Sequence, residues 1–336
     1  MQLISAHRIW NEAPHNAFTD ARVFKGQLYT AFREGTSHVS PDGQLRVLRL
    51  EQDQWVSVAV MTLPEADVRD AKLSVRPDGC LMLVGAAAYK NQPVSHQCHY
   101  WLSEDGENWS QATPVAEPNH WLWRLTWHGD TAYGMAYGTG GVQGLFWYEV
   151  NPDGHWHCRP VEEFAGQYVN EHALSFDEDG TAWCLLRRDN QDISITHGLL
   201  GNATPPYTDW HWQDLGFRIG GPEMISLHGS EDFLAAYRRY QYPDSWLPQW
   251  TEVSRLNREG VLQERLTVPS GGDCSYPGLA VHEGELHCLY YSSHEVAEQA
   301  VQDGQEAEPR VGAEDEEQSE AAAMPMTAIY HARIRL

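Results

Sequence analysis

The sequence has few basic residues, with 23 Lys and Arg against 47 Asp and Glu in 336 residues, and its formal net charge at pH 7 is −24. Such a protein repels nucleic-acid phosphate, and no basic stripe is present that would release counterions. The sequence also lacks an apolar run of the roughly 20 residues that a spanning helix needs, and its opening MQLISAHRIW has no signal-peptide pattern. We therefore expect a cytoplasmic protein that binds neither nucleic acid nor membrane.

Cysteine is sparse, and its spacing excludes two further classes of protein. No CxxC pair occurs, and most of the six cysteines lie within apolar, strand-like runs. Without a secretory signal, this pattern predicts buried free thiols and neither a disulfide framework nor a zinc site. The cysteines are Cys80, Cys98, Cys158, Cys184, Cys274 and Cys288.

Part of the negative charge is concentrated near the end of the chain. Between Glu295 and Glu320 ten acidic residues stand against the single Arg310. Low hydrophobicity combined with a run of like charge is typical of disordered segments. We predict a disordered acidic insertion at 296–326, inside the last unit of a single domain that spans 1–336.

What the chain does have is a repeat. Six segments open with a polar residue, run apolar, turn at a Gly or Asp-Gly, and run back to another polar cluster. Their openings are 50, 54, 47, 52 and 53 residues apart, a period that indicates a repeat architecture. The openings are Asp20, Asp70, Arg124, Glu171, Glu223 and Tyr276.

Each unit contains four short strand-like runs separated by turn residues, as in the first unit ARVF, QLYTAF, QLRVLRL and QWVSVAV. Six such antiparallel sheets close radially into an all-β, six-bladed β-propeller, which leaves no long exposed sheet edge. The last unit lacks a fourth strand after MTAIYHARIRL. We predict that the N-terminal run ISAHRIW supplies that strand and closes the ring.

This fold predicts a site at one end of the central axis, which we call the mouth. The first strand of each blade starts at the mouth and the second strand returns to it. The six openings should therefore meet a second set of residues there. That set comprises Arg33, Tyr89, Tyr137, Arg187, Arg238, Tyr291, His294 and Glu295. Guanidinium groups beside carboxylates in a concavity suit the recognition of an acidic ligand.

At these residues the chain resembles the sialidase superfamily over nearly all of its length outside the acidic insertion. NEHALSFDEDGTAWCLLR is similar to the sialidase pattern that contains Glu171 and Arg187, and CSYPGLAVHEGELHCLYYSSHE is similar to the final blade that contains Tyr276. RDAKLSVRPDG resembles the segment with a substrate-contacting aspartate, here Asp70, and LAAYR the segment with a carboxylate-binding arginine, here Arg238. WLSEDGENW looks like a shortened Asp-box, a structural turn.

The resemblance implies a retaining exo-glycosidase with Tyr276 as the nucleophile and Glu171 as its base. The chemistry can be argued independently, because a sialic acid carries a carboxylate on its anomeric carbon that repels a carboxylate nucleophile but not a neutral phenol. A phenol has a pKa near 10 and therefore needs a base beside it. Arg187 and Arg238 would bind the carboxylate of a small-molecule or glycan substrate.

The sequence departs from the sialidase pattern at two points. Thr19 stands where sialidases begin with an arginine, and Arg33 or Arg124 is available to replace it. The residue that protonates the leaving oxygen is either His38, whose pKa lies near neutrality, or Asp42, which sits in a PDG turn.

Structural roles remain open for several of these side chains. Arg33 and Arg238 also suit salt bridges between blades, and Arg124 and Glu223 are expected to pair with neighbours. His38 and His294 lack a metal-binding spacing, so neither a metal nor a cofactor is expected.

Two other functions stay open at this stage. A polysaccharide lyase or another uronate-acting propeller enzyme would use a His and a Tyr as base and acid, with arginines neutralising the uronate. A non-catalytic glycan-binding propeller would need no nucleophile.

Overall fold

The structure is a computed structural model that describes residues 1–189, 196–227, 229–242, 248–295 and 326–336. These residues form strands β1 to β24 and a short 3-10 helix at Glu162–Phe164. The predicted insertion at 296–326 lies, apart from Met326, outside the described residues. No helix within the described ranges is long and apolar enough to cross a membrane.

The strands follow one another as antiparallel sheets in chain order. The first strand, β1 (Gln2–Trp10), belongs to the last sheet. The first sheet contains β2 (His15–Phe24), β3 (Gln27–Gly35), β4 (Gln44–Glu51) and β5 (Gln54–Met61). The second contains β6 (Ala66–Val75), β7 (Leu81–Tyr89), β8 (His96–Ser103) and β9 (Thr113–Val115). The third contains β10 (His120–Leu122), β11 (Thr126–His128), β12 (Thr131–Gly138), β13 (Leu145–Val150) and β14 (Trp156–Pro160).

The fourth and fifth blades are joined in one seven-stranded sheet, and the sixth blade follows. The joined sheet contains β15 (Val169–Phe176), β16 (Ala182–Arg188), β17 (His197–Ala203), β18 (His211–Ser226), β19 (Phe233–Tyr240), β20 (Gln249–Leu256) and β21 (Leu262–Thr267). The sixth blade contains β22 (Cys274–His282), β23 (Glu285–Ser292) and β24 (Ala328–Arg335), together with β1.

Local sequence explains the tight hairpins between inner strands. Lys25 and Gly26 have φ angles of 49° and 76°, and Glu283 and Gly284 have φ angles of 50° and 80°. Two successive positive φ angles are what a two-residue turn of type I′ requires, and its twist matches that of the flanking strands. The shortened Asp-box forms a different turn, in which the Asp105 carboxylate accepts hydrogen bonds from the backbone of Asn108 and its neighbour.

The core lies between neighbouring sheets. Blades one and two, for example, pack Leu45 and Val47 of β4 against Leu73 of β6 and Leu83 of β7, all fully buried. Burial of this apolar surface, at about 25 cal/mol per Å², is the main stabilising term for the packed blades.

The innermost strands meet in cyclic order around the axis. Contacts join β2 to β6, β6 to β11, β11 to β15, β15 to β18, β18 to β22, and β22 back to β2. The chain ends are joined in the same sheet, because β1 pairs antiparallel with β24 from Gln2 opposite Arg335 to Trp10 opposite Ile329. The predicted all-β propeller is confirmed, and the N-terminal run lies beside the last strand of the sixth blade, where it was expected.

A change of register near the start of each innermost strand is the feature that shapes the site. The pairing shifts between Ala17 and Asp20, Arg69 and Lys72, Val169 and His172, Gly220 and Glu223, and Ser275 and Gly278. In the third blade, the innermost strand is instead interrupted between β10 and β11. Such β-bulges redirect a side chain and are common beside active sites.

Candidate active site

Tyr276, Glu171 and Arg187 lie in direct contact. The Tyr276 hydroxyl donates a hydrogen bond of 2.5 Å to Glu171 Oε1. Arg187 Nη1 donates to both Glu171 oxygens, at 2.7 and 2.8 Å, and to the Tyr276 hydroxyl at 3.1 Å. Three strands from two different sheets, β15, β16 and β22, therefore deliver a phenol, a carboxylate and a guanidinium to one point.

The backbone of Tyr276 has a strained conformation that determines the direction of its ring. Tyr276 has a φ of 47° within the bulge of β22, a conformation that non-glycine residues rarely adopt. A Cβ on the neighbouring Gly221 would come within 2.6 Å of the Tyr276 ring, so only glycine leaves room for that ring. Strain of this kind is maintained where the surrounding structure overdetermines it, typically at functional sites.

The Tyr276 phenol is protonated at neutral pH. The residue is only 8% exposed, and this burial, reinforced by the Glu171 carboxylate, raises the pKa of Tyr276 well above its usual value near 10. The proton is therefore on the phenol oxygen, shared with a carboxylate oxygen that is in position to accept it.

The other groups around this cluster are also paired. Arg187 Nη2 contacts Asp189 at 2.8 Å, and Asp189 contacts Arg218 at 3.3 Å. Both terminal nitrogens of Arg187 are therefore bound to protein carboxylates. This arrangement suits a role in orienting Glu171 better than a role in binding a ligand.

Arg238 lies against the Tyr276 ring, with the guanidinium carbon 5.0 Å from the ring centre. Its Nε donates to the Cys274 carbonyl at 2.8 Å and its Nη2 to the Tyr291 hydroxyl at 2.8 Å. Neither of these contacts involves Nη1. Within the described part of the chain, Nη1 is therefore the nitrogen of Arg238 that these contacts leave for a ligand.

Asp70 occupies the bulge of β6, with a φ of 57°, in the position that Tyr276 occupies in β22. Burial raises the pKa of Asp70 above its usual value, against the opposing charges of Arg69 and Lys72. The Glu171 carboxylate acts in the same direction as burial. Asp70 therefore retains its proton to higher pH than an exposed aspartic acid does.

His38 belongs to a second cluster beside the first. His38 Nδ1 lies 3.5 Å from Asp273 Oδ2, and His15 Nε2 lies 3.1 Å from the same oxygen. Burial lowers the pKa of His15, although the contact with Asp273 opposes the shift, so His15 is neutral at pH 7. No metal was expected from the sequence, yet these three side chains form a group whose ligand atoms all lie within 4.8 Å of one another.

Phe18 and Tyr291 connect the two clusters. The centre of the Phe18 ring lies 5.2 Å from that of His38 and 5.1 Å from that of Tyr276. The Tyr291 hydroxyl donates to Asp273 Oδ1 at 2.7 Å. The two groups of polar side chains are thus neighbours that share an aromatic wall.

Arg33 supports the loop that carries His38. Its Nε donates to Asp67 Oδ1 at 2.7 Å, and Nη1 donates to the Ser37 carbonyl at 2.8 Å. The residue is fully buried. Arg33 therefore acts on His38 through the backbone of the β3–β4 loop, and its position offers no replacement for the arginine that Thr19 displaces.

Asp20, Arg124 and Glu223 form a buried layer of their own. Arg124 Nη2 lies 3.2 Å from Asp20 Oδ1 and is also paired with Glu223, and all three residues are essentially inaccessible. Asp20 and Glu223 come at the end of their bulges, where Phe18 and Gly221 take the positive φ angles. Asp20 and Glu223 open their repeats as Asp70 does, but each lies two residues after the bulge position that Asp70 occupies in β6.

Three further candidates make contacts elsewhere. Burial raises the pKa of Asp42, but hydrogen bonds from Ser40 and Thr36 outweigh it and lower the pKa to about 2, so Asp42 is ionised and ties the loop backbone. The His294 ring contacts Ser292 Oγ at 2.8 Å. Glu295 pairs with Arg8 at 2.8 Å on the outermost strand of the sixth blade.

Sequence reasoning missed four side chains of these clusters, namely His15, Phe18, Arg69 and Asp273. Arg69 lies beside Phe18, with its guanidinium carbon 5.3 Å from the ring centre. The available signal was position, because Phe18 stands two residues before Asp20 and Asp273 stands three residues before Tyr276, within PSGGDCSY.

No model of a known protein family matches the sequence, and no protein with a curated description matches it. Solved structures with a similar fold do exist. A protein of unknown function from Dyadobacter fermentans has a TM-score of 0.74 at 14% identity, over 100% of this chain and 99% of that one. An α-L-arabinofuranosidase from Fusarium graminearum, in complex with an iminosugar inhibitor, has a TM-score of 0.70 at 10% identity, over 99% and 98% of the two chains. The endosialidase of phage phi92 has a TM-score of 0.66 at 10% identity, over 99% of this chain and 69% of that one.

At these identities the similarity is one of fold, and function has to be argued from the site. The chain shares the β-propeller fold of these structures.

Proposed function

We propose that this protein is a retaining exo-glycosidase that releases a terminal acidic sugar, sialic acid or a related sugar, with Tyr276 as nucleophile. The observation that carries the proposal is the 2.5 Å hydrogen bond from the Tyr276 hydroxyl to Glu171, with Arg187 Nη1 donating to both. A phenol held against a carboxylate by a shared cation is a nucleophile with its base in place.

The protonation state of Tyr276 suits an anionic substrate. Because the phenol is neutral until Glu171 takes its proton, a substrate carboxylate on the anomeric carbon can approach it without repulsion. Attack by the phenol oxygen forms the glycosyl–tyrosine bond and breaks the bond to the leaving oxygen. Water then releases the sugar in a second step.

The substrate carboxylate needs a cation that no protein carboxylate holds at close range. Arg187 contacts Glu171 and Asp189 at 2.7 and 2.8 Å. Arg238, in contrast, lies 3.8 Å from Asp273, and Arg69 lies 4.0 Å from Asp67. We therefore assign this role to Arg238 together with Arg69. Both guanidinium groups also lie against aromatic rings, which restricts the orientation of their planes.

The proton for the leaving oxygen comes from Asp70. A general acid must still hold its proton at the working pH, and burial moves the pKa of Asp70 in that direction. Its place in the bulge of β6 is equivalent to that of Tyr276 in β22, and only β2 of blade one separates these two strands, which supports this assignment.

Hydrolysis of aryl glycosides tests the proposal directly. We expect the full chain to release 4-methylumbelliferone from an α-sialoside or from another acidic sugar in a panel of nonulosonates and uronates. Tyr276→Phe and Glu171→Gln should each lower kcat by about 100-fold or more, since each removes a group that acts in the transition state.

Tyr290→Phe is the matched control. Tyr290 lies on the same blade, and its hydroxyl donates to the Pro269 carbonyl at 2.8 Å, so the change deletes one buried phenol oxygen outside the cluster. Its activity should stay within a few fold of the parent protein. Thermal unfolding of all variants separates loss of chemistry from loss of fold.

Other results would reject the proposal. Release from a neutral α-L-arabinofuranoside without release from any acidic glycoside would exclude an acidic substrate. New ultraviolet absorbance from an unsaturated uronate would indicate elimination by a lyase. Glycan binding that persists in Tyr276→Phe, without turnover in the parent protein, would indicate a binding module.

A further inference from the structure

The cluster of His15, His38 and Asp273 plays no part in the proposed chemistry. Its members come from three separate segments, the start of β2, the β3–β4 loop and the residue before β22. Both imidazoles nevertheless point a nitrogen at one carboxylate oxygen, Asp273 Oδ2. Convergence of two imidazoles and a carboxylate from distant parts of a chain is typical of metal sites.

The spacing of the ligand atoms fits a tetrahedral ion. With metal–ligand bonds of about 2.1 Å, two ligands of a tetrahedron lie about 3.4 Å apart. The distances from Asp273 Oδ2 to His15 Nε2 and to His38 Nδ1 are 3.1 and 3.5 Å, and no pair of the ligand atoms exceeds 4.8 Å. The two imidazole–carboxylate distances match those of a tetrahedral ion, whereas the two imidazole nitrogens, which lie within 4.8 Å of each other, would approach to about 3.4 Å on binding.

The surrounding contacts hold these side chains in orientation, as metal ligands require. Asp273 Oδ1, the oxygen not shared by the imidazoles, accepts the hydrogen bond from Tyr291. The loop that carries His38 is held by the hydrogen bond from Arg33 to the Ser37 carbonyl. Neither contact occupies the atoms that face the common centre.

The centre can be reached from solvent. The side chains of His38 and Asp273 are 25% and 17% exposed, whereas that of His15 is buried. Three protein ligands with one accessible side leave a coordination position for a fourth, exogenous ligand, which is the arrangement of catalytic rather than structural zinc sites.

We propose that His15, His38 and Asp273 bind one divalent transition-metal ion, Zn²⁺ by preference, with a coordination position open to a substrate or water oxygen. The ring of Phe18 contacts both His38 and Tyr276 and so separates the proposed metal site from Tyr276. This inference does not depend on the glycosidase proposal, which uses none of the three ligands.

Metal binding by the full chain, without substrate, tests the site. After treatment with a chelator and its removal, calorimetric titration with Zn²⁺ should show one equivalent bound with a Kd in the micromolar range or below. Co²⁺ should give visible absorption bands of tetrahedral or five-coordinate intensity. Zn²⁺ should also raise the midpoint of thermal unfolding, because it binds the folded state.

His38→Gln and Asp273→Asn should each weaken Zn²⁺ binding by about 100-fold or more and abolish the Co²⁺ bands. His157→Gln is the control, since His157 is exposed on β14 and any adventitious binding by surface imidazoles would involve such residues. The control should retain both the stoichiometry and the spectrum.

The proposal is overturned if the parent protein binds no Zn²⁺, if binding survives His38→Gln, or if His157→Gln removes it equally. In those cases the cluster is a hydrogen-bonded triad only. Since no substrate is used, a negative result here leaves the hydrolysis experiment unaffected.

Discussion

Asp70 shows how one backbone conformation decides what a side chain does. Its φ of 57° directs the carboxyl group toward the cluster of Tyr276 and Glu171, while Lys72, two residues on, points into the buried layer and donates to the Thr19 carbonyl at 3.1 Å. The raised pKa of Asp70 suits an acid, and the hydrogen bond that Glu171 accepts from the Tyr276 hydroxyl suits a base, so the two carboxyl groups would have separate roles.

The role of Asp70 as the acid predicts a dependence on the leaving group. Asp70→Asn should lower kcat/KM by about 100-fold or more for a natural oligosaccharide, whose leaving alcohol needs a proton. For a 4-methylumbelliferyl glycoside the loss should be several-fold smaller, because that leaving group departs with little help. Equal losses on both substrates would mean that Asp70 positions the sugar instead.

Part of the site could be predicted from the sequence because the residues concerned lie at fixed points of the repeat. Glu171 and Tyr276 open their units, and Arg187 ends the strand that follows Glu171, so strand order alone brings them to the mouth. Asp273 and Arg69 could not be found that way. Asp273 precedes its strand, and Arg69 reaches the mouth only because the bulge of β6 changes the alternation of side chains.

The innermost strands illustrate the limit of pattern-based prediction. Side chains alternate strictly along a regular strand, so a single bulge reverses the face of every residue before it. Asp20 and Asp70 both follow an apolar-to-polar boundary in the sequence. The structure separates them because Phe18, and not Asp20, takes the positive φ in β2.

Close packing of the innermost strands gives a test of the ring. A Cβ on Gly278 of β22 would lie 2.2 Å from the Ala21 amide nitrogen and 2.4 Å from the Asp20 carbonyl carbon, both backbone atoms of β2. Gly278→Ala should therefore lower the free energy of unfolding by about 2 kcal/mol or more, because neither strand can move without disturbing its sheet. Denaturant titration measures the change.

Gly271→Ala provides the matched comparison. It lies in the loop before β22, and the nearest atom to its added Cβ is that of His294 at 3.8 Å, an ordinary contact. Its free energy of unfolding should stay within about 0.5 kcal/mol of the parent value. If both glycine variants unfolded alike, packing between β22 and β2 would not be a constraint.

For the entire propeller, the pairing of β1 with β24, which joins the two ends of the chain, is the contact that matters most for stability. Strand β1 covers the edge of β24, and Leu3 packs beside Leu286 and Ile334 in the apolar cluster of the sixth blade. Without β1, that blade would expose a row of unpaired backbone groups and an apolar face.

Removal of residues 1–10 should lower the free energy of unfolding by about 3 kcal/mol or more and promote association through the uncovered edge. Denaturant titration and light scattering measure the two effects. Ile4→Ser is the control, because Ile4 is 38% exposed and the change preserves the backbone pairing. A truncated protein with the midpoint of the full chain would show that the sixth blade closes the ring without β1.

The architecture was more predictable than the site because it depends on many residues at once. Six repeats of similar length, each with turn residues such as Lys25 and Gly26 at its hairpin, leave few folds other than a propeller. One aspect was not evident from the repeat. The fourth and fifth units are not separate sheets, since the sixteen-residue β18 pairs with β17 in its first half and with β19 in its second.

That continuous strand connects Tyr276, the proposed nucleophile, with Glu171, its proposed base. Gly221, in the second half of β18, donates its amide to Glu171 at 3.3 Å and lies against the Tyr276 ring. Because β18 belongs to both blades, a displacement of the outer edge of blade four would reach Gly221, which, like Arg187, contacts both partners. The distance between the Tyr276 phenol and the Glu171 carboxylate therefore depends on a strand that belongs to both blades.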